Sequence, residues 1–144
     1  MPDTQNRRSF LAGVTAMTLA GAGLTALGAA PLYANPVTID WDAAPVRLMM
    51  VEAKGCIYCA AWNREIGPGY PASAEGRAAP LLRLDIDGAW PNGIALERRP
   101  TITPTFILLR RGAELARIEG YPGDQFFYPV IAQMMTRAGI KPAA

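Results

Sequence analysis

Residues 46–62 read VRLMMVEAKGCIYCAAW, and this stretch decides the fold. Residues 46–53 are apolar with little polar interruption, which is typical of a strand covered on both faces of a sheet. From Cys56 to about Ile66 apolar residues recur at helical spacing, and Gly67-Pro68-Gly69 ends the pattern. The sequence therefore predicts a central strand, a tight turn that carries the first cysteine, and a helix that carries the second.

The segments that follow predict a second strand parallel to the first. Leu82, Leu84 and Ile86 alternate with charged residues, which is the period of a strand with one face toward solvent. Two strands joined through a helix form a right-handed crossover and lie as parallel neighbours in one sheet. Residues 69–80 are predicted as loop, or at most one ragged helical turn, and prolines and glycines make residues 88–103 a short irregular connection.

The last third of the chain predicts an antiparallel hairpin and a helix. Residues 105–109 form a continuous apolar strand, Gly112 lies in a turn, and residues 114–119 form a polar strand suited to a sheet edge. Pro129 begins or kinks the helix, and Gly139 ends it. The apolar residues that recur at intervals of three and four, and therefore face the sheet, are Phe126, Phe127, Val130, Ile131, Met134 and Met135.

Residues 1–34 predict an export signal that is separate from the fold. Arginines at 7 and 8 are followed by Phe10 and by an uncharged run rich in Gly, Ala, Leu and Thr. The pattern resembles the twin-arginine signals of bacteria, although two positions depart from their usual form. We therefore expect export to the periplasm and a folded domain of residues 35–144. An uncleaved membrane anchor is the alternative, because residues 10–32 are long enough to cross a bilayer.

Composition argues for a packed domain that binds neither nucleic acid nor a nucleotide cofactor. The chain is 51% hydrophobic and 18% charged, which suits a globular core. Residues 35–144 carry 12 Lys or Arg and 11 Asp or Glu, so the domain is nearly neutral and lacks a basic surface for nucleic acid. No glycine-rich loop of the dinucleotide-binding type is present, so no nicotinamide or flavin cofactor is predicted.

Cys56 and Cys59 are the only cysteines, and the chain contains no histidine. A c-type haem site needs His directly after the second cysteine, where Ala60 stands. Zinc and iron–sulfur sites need more soft ligands than two cysteines supply, so no metal is predicted. A purely structural disulfide is an alternative, although closing so short a loop removes little chain entropy.

The functional interpretation gives each cysteine a role. Cys56 is predicted at the end of the central strand and the N-terminus of the helix, where free N–H groups and the helix dipole stabilise a thiolate. It is the candidate nucleophile. Cys59 lies one helical turn further on and can attack the mixed disulfide that Cys56 forms with a substrate. Lys54 either adds positive charge near Cys56 or points to solvent.

Together these features resemble the thioredoxin-like thiol–disulfide oxidoreductases over most of residues 46–138. The match rests on the strand that ends in the CxxC turn, on Thr103-Pro104-Thr105 before the third strand, and on the final hairpin and helix. The resemblance implies an α/β thioredoxin-like fold with a mixed sheet of four or five strands and helices on both faces. Residues 37–39 are the candidate additional strand. The resemblance also implies that Pro104 is cis and faces the cysteine pair, while the backbone of Thr103 pairs with an extended substrate segment.

The sequence departs from the commoner form of this family at several positions. Gly55 and residues 57–58 stand where many members have Trp and Gly-Pro. Met50 stands where many members carry a buried acid, six residues before the first cysteine. Glu52 shares a strand face with Met50, and it is a candidate proton acceptor for Cys59. The alternative is that Glu52 is a partly exposed acid at the end of a strand.

Among exported relatives, residues 55–62 resemble the small periplasmic thioredoxins encoded with bacterial sulfur-oxidation systems. This resemblance implies a protein substrate with a disulfide or a modified cysteine, such as a sulfur-carrier protein. Because no nicotinamide or flavin site is predicted, we expect a membrane-embedded thiol transporter to supply the electrons. A periplasmic disulfide reductase is the leading hypothesis, and the absence of His between the cysteines favours a reductant. The alternatives are a disulfide oxidase or isomerase, and a non-catalytic binding or assembly module with a thioredoxin fold.

Overall fold

The computed structural model describes residues 38–142 of the 144-residue chain. The predicted export signal of residues 1–34 lies outside the described residues. The strands are β1 (Val46–Glu52), β2 (Leu81–Asp85), β3 (Thr105–Arg110) and β4 (Ala113–Glu119). The α-helices are α1 (Ile57–Glu65), α2 (Ala74–Ala78) and α3 (Asp124–Arg137), and Tyr70–Ala72 form a 3-10 turn.

The four strands of the described part form one mixed sheet in the order β2-β1-β3-β4. β1 is parallel to β2 and antiparallel to β3, and β3 is antiparallel to β4. The buried run of β1 therefore lies between two neighbours, as its apolar sequence predicts. The βαβ unit and the hairpin are both confirmed. Residues 38 and 39 belong to no strand, so within the described part the predicted additional strand is absent and residue 37 is not described.

One face of the sheet packs against the helices. Alternate residues of β1 and β3, Leu48 and Met50 with Phe106 and Leu108, contact the buried side of α1 and α3. The centre of this core is aromatic. Its rings, which lie 5.0–6.2 Å apart between centroids in tilted or edge-on pairs, are Trp62, Tyr70, Phe106 and Phe127.

The opposite face of the sheet is covered without a helix. Met49, Val51, Ile107 and Leu109 point to this side. The side chains that cover them come from β2 and irregular segments: Trp41, Leu82, Leu84, Ile86, Trp90, Ile94 and Leu96. The expectation of helices on both faces is therefore wrong for residues 38–142. Prolines and glycines in residues 88–103 prevent a helix there, and three large apolar side chains from the irregular segment cover the face instead.

Residues 69–80, predicted as loop or at most one ragged helical turn, contain a 3-10 turn and a short helix. The 3-10 turn is followed by α2, which Ser73 caps by accepting the Gly76 N–H at 2.9 Å. Tyr70 is fully buried and its hydroxyl donates to the Ala79 carbonyl at 2.9 Å. A Cβ atom at Gly76 would lie 1.8 Å from the Tyr70 carbonyl oxygen, so glycine is needed for this close approach.

The C-terminal helix agrees with its predicted apolar stripe. Phe127, Ile131, Met134 and Met135 are buried against the sheet, whereas Phe126 is exposed. Pro129 lies inside α3, and the helix ends before Gly139, whose φ is 69°. No helix within residues 38–142 combines the length and the apolar character needed to cross a membrane.

Candidate active site

The first part of the site is the turn between β1 and α1, residues 53–56, which we call the cysteine turn. The Cys56 N–H donates to the Ala53 carbonyl at 3.2 Å. Gly55 has a φ of 77°, a left-handed conformation that costs glycine little because it has no Cβ atom. Lys54 is exposed. The backbone of this turn therefore requires glycine directly before the first cysteine.

The two cysteines differ in exposure. Cys56 is the N-cap residue of α1 and is partly exposed, whereas Cys59 is only 3% exposed. They form a disulfide with Cα atoms 5.2 Å apart, and the Cys56 Sγ accepts the Cys59 N–H at 3.1 Å. A large molecule arriving from solvent therefore meets the sulfur of Cys56 first.

The second part of the site is the segment before β3, residues 99–104, which we call the proline loop. The Thr103–Pro104 peptide bond is cis, as the family resemblance implies. Pro104 is buried and its carbonyl accepts the Gly120 N–H at 2.7 Å. Thr105 is buried too, and its hydroxyl donates to the Ile102 carbonyl at 2.6 Å.

Strand pairing places the two parts at the same edge of the sheet. β1 runs toward the cysteine turn, and β3 begins directly after the proline loop. Val51 is opposite Thr105 in the antiparallel register of these strands. The cysteine turn leaves the sheet where the proline loop enters it, so Thr103 and Pro104 lie on the side of the molecule that carries the cysteines.

Glu52 lies in a groove that also contains both cysteines. The groove has a volume of about 310 Å³. Its lining residues are Glu52, Ala53, Gly55, Cys56, Ile57, Cys59, Ala60 and Asn63. The structure therefore brings the sequence-predicted acid together with the cysteine pair.

Arg83 holds Glu52 from the neighbouring strand. Its guanidinium donates to both carboxylate oxygens, from Nε at 2.8 Å and from Nη2 at 2.5 Å. Nη2 also donates to Asn63 Oδ1 at 2.8 Å, and the guanidinium carbon lies 5.9 Å from the ring centroid of Trp62. Sequence reasoning missed Arg83 and Asn63. The available signal was the charged position of β2 on the face that α1 covers, beside an acid at the end of β1.

Both parts of the site carry exposed apolar side chains. Ile57 and Tyr58, between the two cysteines, are 72% and 60% exposed, and Ile102 of the proline loop is 49% exposed. Exposed apolar side chains grouped on one surface are typical of a protein-binding site. Sequence reasoning did not single out Ile102, because one isoleucine in an irregular segment carries no pattern.

A partly exposed cysteine at a helix N-terminus, a buried partner one turn later, and a cis-proline at the same edge of a mixed sheet define a thioredoxin-type redox site. Within residues 38–142 no group of three or more His, Cys, Asp or Glu side chains is placed to bind a metal. No family model matches the chain, and no curated protein sequence is similar to it.

Solved structures identify the class. The periplasmic thioredoxin SoxS from Paracoccus pantotrophus, in its reduced form, is 48% identical, with a TM-score of 0.63, and the match covers 65% of this chain and 98% of that chain. The chain therefore belongs to the thioredoxin family and is a periplasmic thiol–disulfide oxidoreductase.

Two more distant matches are also thioredoxins. Thioredoxin-2 of the malaria parasite is 19% identical, with a TM-score of 0.42, and the match covers 69% of this chain and 89% of that chain. The Malassezia sympodialis thioredoxin is 19% identical, with a TM-score of 0.41, and the match covers 62% of this chain and 75% of that chain. The family assignment rests on the first relative alone.

Proposed function

We propose that the protein reduces disulfides or modified cysteines of partner proteins, with Cys56 as the nucleophile and Cys59 as the resolving thiol. The observation that carries this assignment is the difference in exposure between the two sulfurs. Cys56 is partly exposed at the helix N-terminus, and Cys59 is buried beneath it. A nucleophile must reach the partner, whereas a resolving thiol needs to reach only its neighbour.

The reaction proceeds by two thiolate–disulfide exchanges. The Cys56 thiolate attacks one sulfur of the substrate disulfide, so that a mixed disulfide forms and the other substrate sulfur leaves as a thiolate. Cys59, after losing its proton, attacks the Cys56 Sγ and displaces the second substrate sulfur. The substrate gains two electrons, and the enzyme is left with the Cys56–Cys59 disulfide. A dithiol donor then restores the reduced pair.

The cysteine turn supports a stabilised thiolate at Cys56. As the N-cap residue, Cys56 places its Sγ where the Cys59 N–H donates to it at 3.1 Å. Free N–H groups and the dipole of α1 favour negative charge at this end of the helix. A thiolate is the reactive form of cysteine in disulfide exchange.

We assign substrate binding to Thr103 and Pro104. The backbone of Thr103 pairs with an extended segment of the partner on either side of its reactive cysteine, and Pro104 borders the reacting sulfur. The exposed side chains of Ile57, Tyr58 and Ile102 supply an apolar surface around that segment. Such a surface suits a protein substrate better than a small charged thiol.

We further propose that Glu52 accepts the proton of Cys59 as the mixed disulfide is resolved. It is the acid that lines the groove with both cysteines. Arg83 holds both of its oxygens, so the position of the carboxylate beside the groove is fixed. A water molecule in the groove is able to relay the proton.

In the cell, the resemblance to periplasmic thioredoxins of sulfur-oxidation systems favours a sulfur-carrier protein as the partner. Electrons then come from a membrane-embedded thiol transporter. Export of the chain by a twin-arginine signal within residues 1–34 fits this location, as would retention by an uncleaved anchor.

A Cys59→Ser variant tests the proposed roles. Attack by Cys56 proceeds in this variant, but resolution does not, so a mixed disulfide with the partner accumulates and is released by dithiothreitol. Cys56→Ser is the matched control and should trap nothing. Equal trapping by both single variants would refute the assigned order of attack, and no adduct with either would favour the non-catalytic module.

A further inference from the structure

Four charged residues form a cluster at the edge strand β4, outside the cysteine groove. They are Arg98, Glu114, Arg117 and Glu119, and we call them the charge cluster. Arg117 and Glu114 form a two-pronged ion pair, Nε to Oε1 and Nη2 to Oε2, both at 2.6 Å. Their side chains are only 8% and 7% exposed. Burial of an ion pair has a desolvation cost that often exceeds its attraction, so stability alone does not explain this pair.

A β-bulge brings these side chains to one face of the strand. The register between β3 and β4 shifts between Leu108 and Leu109, so that Leu115 is an extra residue in β4. Residues three apart on a regular strand point to opposite faces, but the bulge places Glu114 and Arg117 on the same face. Glu119, two residues beyond Arg117, points to that face as well.

The charge cluster forms hydrogen bonds with the backbone of residues 97–98, which lead into the proline loop. Glu114 Oε2 accepts the Glu97 N–H at 2.9 Å, and Arg117 Nη2 donates to the Arg98 carbonyl at 2.7 Å. The side chain of Arg98 returns to β4, where its Nη2 lies 2.5 Å from Glu119 Oε1. The start of the proline loop is therefore bound to β4 by three contacts.

The other end of the proline loop is bound to the residue that directly follows β4. The Gly120 N–H, directly after Glu119, donates to the Pro104 carbonyl at 2.7 Å. Thr105 is opposite Glu119 in the strand register. The five residues 99–103 thus lie between two anchors at β4, and we expect that loss of the first anchor changes the position of Thr103.

We propose that Arg98 and Arg117 are positioning residues that hold the proline loop ready to bind the backbone of a protein substrate. The inference rests on the proposed function, in which Thr103 pairs with that backbone. Neither arginine lines the cysteine groove. Their loss should weaken recognition of proteins while leaving the chemistry of the cysteines unchanged.

The test compares two disulfide substrates in steady-state kinetics. Insulin offers a peptide backbone to the proline loop, whereas hydroxyethyl disulfide has none. For Arg98→Ala we expect KM for insulin to rise about threefold to fivefold, the upper part of the range for loss of one surface ion pair. Glu119→Gln also removes the 3.6 Å contact with Arg117 Nη1 and should raise KM at least as much. The kcat for insulin, and kcat/KM for hydroxyethyl disulfide, should stay within about twofold. Arg117→Lys keeps the charge but loses the fork of donors and should raise KM for insulin further.

Two further variants separate positioning from general damage. Asp42→Asn breaks a comparable exposed ion pair, with Arg111 at 2.9 Å near the other end of β4, and should leave KM for insulin unchanged. The conservative variant Arg98→Lys keeps a positive charge beside Glu119 and should retain part of the affinity that Arg98→Ala loses. Amide exchange at Glu97 and Gly120, whose N–H groups donate to Glu114 Oε2 and to the Pro104 carbonyl, should be faster in Arg98→Ala than in the wild type.

Unchanged KM and unchanged amide exchange in both Arg98→Ala and Arg117→Lys would overturn the proposal. So would an equal loss with both substrates, because that pattern indicates a general structural defect. Failure of the wild-type protein to reduce insulin would instead count against the proposed function, and amide exchange would still report whether the charge cluster holds the loop.

Discussion

The cysteine turn and the proline loop enter the site from adjacent strands, but they are held in place by different means. Within the turn, a glycine with positive φ, the N-cap of α1 and the hydrogen bond from Cys56 N–H to the Ala53 carbonyl all come from neighbouring residues. The proline loop is held by contacts to β4 that span 17 to 21 positions in sequence, and by Gly120, 16 positions after Pro104. The comparison teaches that one half of the site is encoded locally and the other half depends on the finished sheet.

The largest expected effect comes from removing the buried acid that anchors the proline loop. Glu114→Gln leaves the Arg117 guanidinium buried without a full counter-charge, which should cost about 3 kcal/mol of unfolding free energy. For a domain of this size that corresponds to a fall of roughly 10 °C in Tm. Differential scanning calorimetry of Glu114→Gln against Asp42→Asn, whose acid is exposed, provides the measurement. A change below about 1 kcal/mol would show that the loop anchor contributes little.

A second prediction concerns acid pH and the same anchor. The Arg117 guanidinium, by its hydrogen bonds to Glu114, lowers the pKa of that carboxyl below its ordinary value. A lowered folded-state pKa stabilises the fold above the unfolded pKa of about 4.3, and this stabilisation is lost as the pH falls through the folded-state pKa. Tm of the wild type should therefore fall more steeply below about pH 4 than Tm of Glu114→Gln. Parallel curves for the two proteins would contradict the assignment.

The third prediction breaks the cysteine turn. Gly55→Ala forces a residue with a Cβ atom into a φ of 77°, which should cost about 1–2 kcal/mol. No atom lies within 4 Å of the added Cβ, so the whole cost comes from the backbone. Urea unfolding of Gly55→Ala and of the neighbouring exposed variant Lys54→Ala measures it. Equal stability of the two variants would mean that the turn does not need glycine.

The cysteine turn and the strands around it are the parts that the sequence predicts well. β1, α1 and the hairpin depend on short-range periodicity, and Gly55 and Cys56 stand where that periodicity changes from strand to helix. The family resemblance added the cis bond before Pro104, which the structure has. No pattern of apolar residues could have supplied it.

The missed features depend on which strands become neighbours. Arg83 reaches Glu52 only because β1 and β2 are paired in parallel, and Glu114 reaches Arg117 only because of the bulge in β4. The sequence predicts helix α2 only as loop or at most one ragged helical turn, because its five residues are too few to give a periodic pattern. The second face is covered by side chains of β2 and of irregular segments instead of a helix, and no periodic pattern in the sequence indicates that arrangement.

The smallest expected effect tests Glu52 as proton acceptor. Glu52→Gln should slow resolution of the mixed disulfide about threefold to tenfold, below the usual span of a general base, because water remains able to accept the proton. Alkylation of Cys56 by iodoacetamide in the reduced protein should be unchanged. Arg83→Gln is the matched variant, because it keeps the carboxylate of Glu52 and removes the guanidinium that donates to it. A normal resolution rate in Glu52→Gln would leave the acid with a purely structural role.

The reduction potential of the Cys56–Cys59 pair tests the central claim, that the protein acts as a reductant, most directly. Equilibration with defined glutathione or dithiothreitol mixtures gives the value. A reductase should have a potential near that of thioredoxin, about −270 mV, whereas a strong periplasmic oxidant has about −120 mV. A value at the reducing end is the result that we predict, and a value near the oxidising end would contradict the proposed direction of electron flow.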